Sequence, residues 1–430
     1  MKTTGKRIGG RRFLAWASIA AAIIWPVLGC GDDGSSGVDA GVSCDKGVYE
    51  GDVDIFLSSD LDDYAGYTEI TGDLYIDCPT AELDRLGCLE AVGGALTIAG
   101  GCEDLTNLGG LSHLAHLGGD LVIQSPALVN LDGLSGLTWI YGSLIVTGNA
   151  ALTNVDGLSG ISQVNGALTL GDNPALTNVD GLSGVLSADS LTIRDNAALA
   201  NVDGLSGLAL IYGSLDITGN GALTSLAGLS GLAEVKGELA ISDNAALASL
   251  AGLGGLASGT VTISGNGALA SLNGLSGLTS GTVTVAGNGA LTSLSGLGGL
   301  TSGTVTISGN GALTSLAGLG GLASGALTIT DNPVLASLEG LSSLGMIGCW
   351  EAESGQYGYY HGGLILQNNP ALTSLDGLGG VAWIAEFLDI SDNANLPQCE
   401  ACDLLDQLVD FGGSFDFHDN LADTCNNSCT

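Results

Sequence analysis

The stretch "GTVTISGNGALTSLAGLGGLASG", residues 303 to 325, recurs almost unchanged from Gly259 and from Gly281. Aligned on the unit LxIxxN, the chain places Asn149, Asn173, Asn196, Asn220, Asn244, Asn266, Asn288, Asn310, Asn332, Asn369 and Asn393 at steps of 22 to 24 residues, apart from one of 37. A fixed period in this range is the signature of a solenoid, in which each repeat buries its apolar side only against its neighbours. It overrides the expectation of two or three domains that 430 residues would otherwise carry.

Within a unit, Leu144, Ile145, Val146 or Val305, Thr306, Ile307 alternate an inward apolar residue with an outward one and are rich in β-branched types, which reads as a short strand. After Asn149 the apolar residues fall at every third place: Leu152, Val155, Leu158, Ile161 and Val164. An α-helix of 3.6 residues per turn loses phase with that spacing, and Gly157 and Gly160 sit inside it, so the reading is a coil of bends and extended sides rather than a helix. The 22-residue coils omit one apolar step, passing from Leu278 to Val283 in five residues, so one side of those coils is shorter. An asparagine at the end of each strand can donate to and accept from backbone of its own and the next coil, forming a structural ladder. The glycine before a leucine, from Gly133, Gly157, Gly181 and Gly204 on to Gly377, marks a corner where backbone approaches its neighbour.

"GDLYI" at Gly72 to Ile76, "GGDLVIQSPALVNLDGLSGLTWIYGSLIVTGN" at Gly118 to Asn149 and the opening "CDKGVYEGDVDIFLSSDLDDYAGYTEITGDLYI" from Cys44 resemble the receptor L-domain family. The resemblance covers roughly residues 44 to 420, longer than one typical L domain. It implies an all-β, right-handed parallel β-helix and a role in ligand binding. Leucine-rich repeats are the structural runner-up; they ask for leucines where Lys236 and Ala246 stand around Leu239 and Asn244. Strands counted from Val53 to Phe417 predict about sixteen coils, and at about 4.8 Å per strand a stack on the order of 75 Å long.

The open ends of such a stack expose backbone and need caps, and cysteines cluster there: Cys44, Cys78, Cys88 and Cys102 at the start, Cys399, Cys402, Cys425 and Cys429 at the end. In an exported chain these read as disulfides, with the scheme Cys44–Cys78, Cys88–Cys102 and two bridges among the last four. "CEAC" and "CNNSC" also carry zinc-ligand spacing, but an exported cap favours disulfides, and no metal or other cofactor is assigned. Cys349 stands alone and is available for an intermolecular disulfide.

The chain opens with Lys2, Lys6, Arg7, Arg11 and Arg12, an apolar run from Phe13 to Leu28, and "VLGC" ending at Cys30. This is the three-part pattern of an export signal. Val27, Leu28 and Gly29 before Cys30 resemble the lipobox of bacterial lipoproteins, which implies a lipid on Cys30, and "RRFL" resembles a twin-arginine motif with its Phe one place early. The segment "GDDGSSGVDAGVS" that follows cannot bury enough surface to fold and reads as a tether. The expected organisation is a signal over 1–29, a tether over 30–43, the repeat solenoid over 44–398 and a Cys-rich cap over 399–430, in a protein held at the bacterial outer membrane or cell surface. After Cys30, four basic residues (Lys46, Arg85, Arg194, Lys236) face 45 acidic ones, a formal net charge of −41. Nucleic acid is not expected as a partner, because phosphate binding needs clustered Lys and Arg.

Parallel β-helices include polysaccharide lyases and hydrolases, but the carboxylates here recur with the repeat, as Asp132, Asp156, Asp180 and Asp203, and later become Ala227, Ala251, Asn273, Ser295 and Ala317. They read as a solvated face rather than a calcium ladder. His113, His116, His361 and His418 have no nucleophile motif beside them, so the chain is not read as an enzyme. The 37-residue step leaves a loop outside the coil, "GMIGCWEAESGQYGYYHGG" over 345–363, that gathers Trp350, Tyr357, Tyr359, Tyr360 and His361. Rigid aromatics with polar tips suit protein interfaces and sugar stacking; the alternative is that they cover a coil edge. The function expected is a surface-anchored recognition or adhesion scaffold for protein or glycan ligands, against a structural envelope spacer with no ligand.

Overall fold

The computed structural model describes residues 42–77, 80–351, 359–409, 411 and 413–422. Signal, Cys30, most of the tether, Cys78, Tyr357, Cys425 and Cys429 therefore lie outside the described residues. Sixteen parallel strands, from Val53–Ile55 to Ser414–His418, form the main sheet, one strand per coil. Register is kept from coil to coil: Leu144, Leu168, Leu191, Leu215, Leu239 and Val261 are successive partners. From Val53–Ile55 to Phe387–Ser391 the inward residues of each strand are 0–3 % exposed, while Phe415 on the strand Ser414–His418 is 46 % exposed. The protein is thus an all-β repeat solenoid with the expected number of coils. Each buried leucine contributes about 1.5–3 kcal/mol relative to exposure.

The every-third apolar pattern has a physical cause that differs from the expectation. Leu152 donates its N–H to Asn149 O (3.2 Å), Leu158 to Val155 O (2.9 Å) and Ile161 to Leu158 O (3.0 Å). These i→i+3 bonds are those of 3-10 geometry, and Asp156–Leu158 is a 3-10 turn that recurs in most coils. Side chains three apart eclipse in such a turn, and the separate i→i+3 turns at Leu152, Leu158 and Ile161 return an apolar side chain to the interior about every third residue. The period that excludes an α-helix is that of a succession of short i→i+3 turns. The glycine in this turn is required: a Cβ on Gly157 would lie 1.8 Å from Leu131 O of the preceding coil.

The asparagines form the expected ladder, and each of the eleven is fully buried. Asn266 is representative. Its Nδ2 donates to Ile241 O (2.8 Å), Ser264 O (3.0 Å) and Asn288 Oδ1 (3.3 Å), while its Oδ1 accepts from Asn244 N–H (3.2 Å). Two further rungs extend it. Ser125 N–H donates to Asn149 Oδ1 at 2.7 Å, and Asn420 Oδ1 accepts from Asn393 N–H at 3.1 Å. The left-handed residue is the one before each ladder asparagine: Gly148, Asp172, Asp195, Gly219, Asp243, Gly265, Gly287, Gly309, Asp331, Asn368, Asp392 and Asp419 have φ between +49° and +72°. Only Gly, Asp and Asn stand there, the types that tolerate this conformation.

At the first coils the disulfide is Cys44–Cys88. This replaces both expected N-terminal bridges, Cys44–Cys78 and Cys88–Cys102, since neither Cys44 nor Cys88 can serve two partners. The physical reason is the stack: Cys44 and Cys88 are 44 residues apart, close to twice the repeat, yet their Cα atoms lie 5.4 Å from one another. Cys102 is buried with its Sγ 3.5 Å from Ile76 O. Cys399 and Cys402, on the helix Gln398–Gln407, are both disulfide-bonded. Among the described residues no helix is long and apolar enough to cross a membrane.

Candidate functional site

The shortened coils reshape one face of the solenoid. In a 24-residue coil a short strand such as Glu234–Val235 turns a corner at Lys236–Gly237 before the main strand Glu238–Ser242. In the three coils that follow, two residues are missing and the two strands fuse into single seven-residue strands: Ser258–Ser264, Ser280–Ala286 and Ser302–Ser308. The fusion depends on a glycine column, Gly259, Gly281, Gly303 and Gly325, with φ between +141° and +150°. A Cβ on Gly303 would also lie 1.9 Å from Gly281 O, so no other residue fits.

Where the corner vanishes, the wall steps inward. Val235 and Leu256, on either side of the step, are 7 % and 4 % exposed, against 0 % for most of the core. The recess is a shallow, widely open groove of about 650 Å³. Its floor is Ser280, Ser302, Thr260, Thr282, Thr304 and the glycines between them, and Lys236 and Glu238 stand at one end. A second hollow of about 470 Å³, lined by Glu234, Val235, Lys236, Leu256 and Gly259, adjoins it at the same step. Lys236 Nζ rests 4.8 Å from the centre of the Tyr212 ring, and Glu238 Oε1 accepts from Thr262 Oγ1 at 3.0 Å. Both charged side chains therefore have fixed supports at the groove mouth.

The far end of the groove is His361. It belongs to the 345–363 insertion, which is narrower than the spacing predicts. Met346–Ile347 stays in the coil, pairing with Ser324–Gly325 and Trp383–Ile384. The excursion is an antiparallel hairpin of Cys349–Glu351 with Tyr359–His361, in which Trp350 is opposite Tyr360 and Glu351 opposite Tyr359. Gly362 N–H donates to Glu386 Oε2 at 2.8 Å, tying the hairpin base to the next coil. The described part of the loop is thus a pair of antiparallel strands, and its His361 reaches the groove made by the short coils. Outside the hairpin, Trp139 and Tyr141, with ring centres 6.1 Å apart, and Tyr212 are exposed aromatics.

The floor presents hydroxyls and backbone in successive coils about 4.8 Å apart. Such groups both donate and accept, which suits a neutral, hydrogen-bonding chain. Lys236 and Glu238 are about four strand spacings from His361, on the order of 20 Å, whereas an acid–base pair must share hydrogen-bond reach of one substrate. The column Asp132, Asp156, Asp180 and Asp203 is exposed and architectural: each backbone N–H donates to the side chain of Asn130, Asn154, Asn178 or Asn201 at 3.1–3.2 Å, opening its 3-10 turn. The four basic residues are engaged within the chain, Arg85 with Asp62 (2.9 Å), Arg194 with Asp172 (2.8 Å), Lys46 with Asp63 O (3.1 Å) and Lys236 with Tyr212.

No family model matches the chain, and no curated protein matches it. Among solved structures, it is similar to an internalin from Listeria monocytogenes (16 % identity over 80 % of this chain and 89 % of that one, TM-score 0.37). It is also similar to TLR13 in a complex with ssRNA13 (12 % identity over 84 % and 82 %, TM-score 0.26).

Proposed function

We propose that the chain is an exported, lipid-anchored recognition scaffold that seats an extended protein or glycan ligand in the groove of the 22-residue coils. The observation that carries this reading is the coincidence of two departures from the repeat. Three coils lose a corner and open a polar recess, and the chain's one long insertion places His361 at the end of that recess. A spacer with no ligand has no need of either. The hydroxyl-rich floor and the mixed charges at Lys236 and Glu238 favour hydrogen bonding to a neutral chain, and the hairpin strands that carry Trp350, Tyr359 and Tyr360 pair with one another beside His361. Export and the lipid on Cys30 rest on the "VLGC" motif and the tether after it.

The test is removal of the hairpin, replacing Cys349 to His361 with a Gly-Ser linker in the full chain. Glycan arrays and envelope-extract capture should lose signal while the melting temperature is retained. Undiminished binding by the deletion variant would place the ligand elsewhere. An intact chain that binds nothing in either assay would favour the spacer.

A further inference from the structure

The position before each ladder asparagine is left-handed and so draws on Gly, Asp and Asn, which stacks side chains of successive coils directly beside one another. Two carboxylates become neighbours in this column at two places: Asp172 with Asp195, and Asp392 with Asp419. Like charges so close repel, and in the first pair a cation of the protein offsets that repulsion. Arg194, the residue just before Asp195, reaches Asp172 Oδ2 at 2.8 Å and Asp195 Oδ2 at 3.3 Å. Where Asp331 meets Asn368, an amide takes the second place and Asn368 Nδ2 donates to Asp331 Oδ1 at 2.6 Å.

At Asp392 and Asp419 the residue equivalent to Arg194 is His418. An imidazole is not a permanent cation, but it is a metal ligand. One ligand atom from each of Asp392, His418 and Asp419 lies within 4.8 Å of the others, and all three residues are exposed; they are the one such group among the described residues. His418 Nδ1 and Asp416 Oδ1 are 3.0 Å apart, and its Nε2 lies 3.9 Å from Asp392 Oδ2. A carboxylate on Nδ1 fixes the tautomer that leaves the Nε2 lone pair for a metal, the arrangement found behind metal-bound histidines. Ligands about 2.0–2.1 Å from a tetrahedral ion sit about 3.3 Å apart, so rotation of these exposed side chains has to shorten the widest separation, up to 4.8 Å, by about 1.5 Å to close the set.

We propose that Asp392, His418 and Asp419 bind one divalent transition cation, of which Zn2+ is the probe, with Asp416 as the positioning residue. The imidazole selects such ions over Ca2+ and Mg2+, which prefer all-oxygen sets. Its consequence is local. Asp392 follows the strand Phe387–Ser391, and His418 ends the last strand of the main sheet, Ser414–His418. A bound ion therefore clips the terminal strand to its neighbour, at the end of a solenoid where exposed backbone most needs holding.

The test is titration of the full chain, prepared without a histidine tag and freed of metal by chelation, with Zn2+ by calorimetry and with Co2+ by visible absorption. The expected result is one equivalent bound with a nitrogen-containing ligand field, and a melting temperature that rises with Zn2+ concentration. His418→Ala should remove this equivalent, Asp416→Asn should weaken it roughly 10–100-fold, and Asp156→Asn in the exposed aspartate column should leave it unchanged. His418 is exposed, so its variant should fold; should it not, Asp392→Asn and Asp416→Asn carry the same comparison. Binding by His418→Ala equal to that of the parent would show that diffuse surface carboxylates hold the ion, and would overturn the site, as would no binding by the parent chain.

Discussion

Replacing Asn266 with Ala removes one rung from the middle of the ladder. The loss comprises the Nδ2 bonds to Ile241 O and Ser264 O, and the Oδ1 acceptor for Asn244 N–H. Asn266 and Asn244 are fully buried, so water does not substitute freely for the missing amide. A buried polar group left without a partner costs about 1–3 kcal/mol. With the Asn244 N–H and at least one carbonyl affected, the expected loss is about 2–5 kcal/mol. Asn266→Asp should be worse than Ala, because a buried carboxylate restores the acceptor but faces Ile241 O, Ser264 O and Asn288 Oδ1 with no proton to give. Asn178→Ala is the control: Asn178 is only half-buried and its Oδ1 serves one N–H, of Asp180, so the loss should stay within about 0.5 kcal/mol. Urea unfolding followed by circular dichroism reads all three, compared by midpoint because repeat arrays need not unfold in one step. An Asn266→Ala midpoint indistinguishable from that of Asn178→Ala would refute the ladder as a stabilising element.

Two other outcomes follow from the ends of the chain. Cys44→Ser opens a loop of 44 residues closed by the bond to Cys88, and the chain-entropy model puts the loss at about 4 kcal/mol; thermal melts with and without reductant should show the first coils loosening in the parent and no reductant effect at that bond in the variant. Mass spectrometry of the mature protein should find a lipid on Cys30 and an N-terminus at that residue; a Cys30 thiol without lipid would remove the anchor.

The strands, the coil count and the asparagine ladder were legible because each repeats and each follows from a local rule of alternation or hydrogen bonding. The 3-10 turns were hidden although their period was visible: Leu152, Val155 and Leu158 mark three residues per turn, and glycine there is demanded by the neighbouring coil rather than by a bend in its own. The Gly/Asp/Asn column ahead of the asparagines was also in plain view, in "TGN", "GDN", "RDN" and "QNN", and becomes interpretable once the backbone angle is known. The pairing of Cys44 with Cys88 could not be read, since connectivity depends on which coils stack two apart. The shorter side of the 22-residue coils was counted correctly, but its consequence, a groove facing His361, needs three coils and a hairpin brought together across about a hundred residues of chain. The rungs at Ser125 and Asn420 were missed because the LxIxxN unit is incomplete around both.

The most direct test of recognition in the groove is to fill it without touching the core. Thr282 is exposed on the floor, its neighbour Val283 points inward, and Thr282→Trp should occupy the recess while leaving strand pairing and melting temperature unchanged. Measured against a glycan array and immobilised envelope components, with Thr169→Trp on the same sheet outside the groove as control, the account predicts that the parent and the Thr169 variant bind alike and that Thr282→Trp loses at least tenfold in affinity. Equal affinity of all three proteins for the same ligand would contradict it.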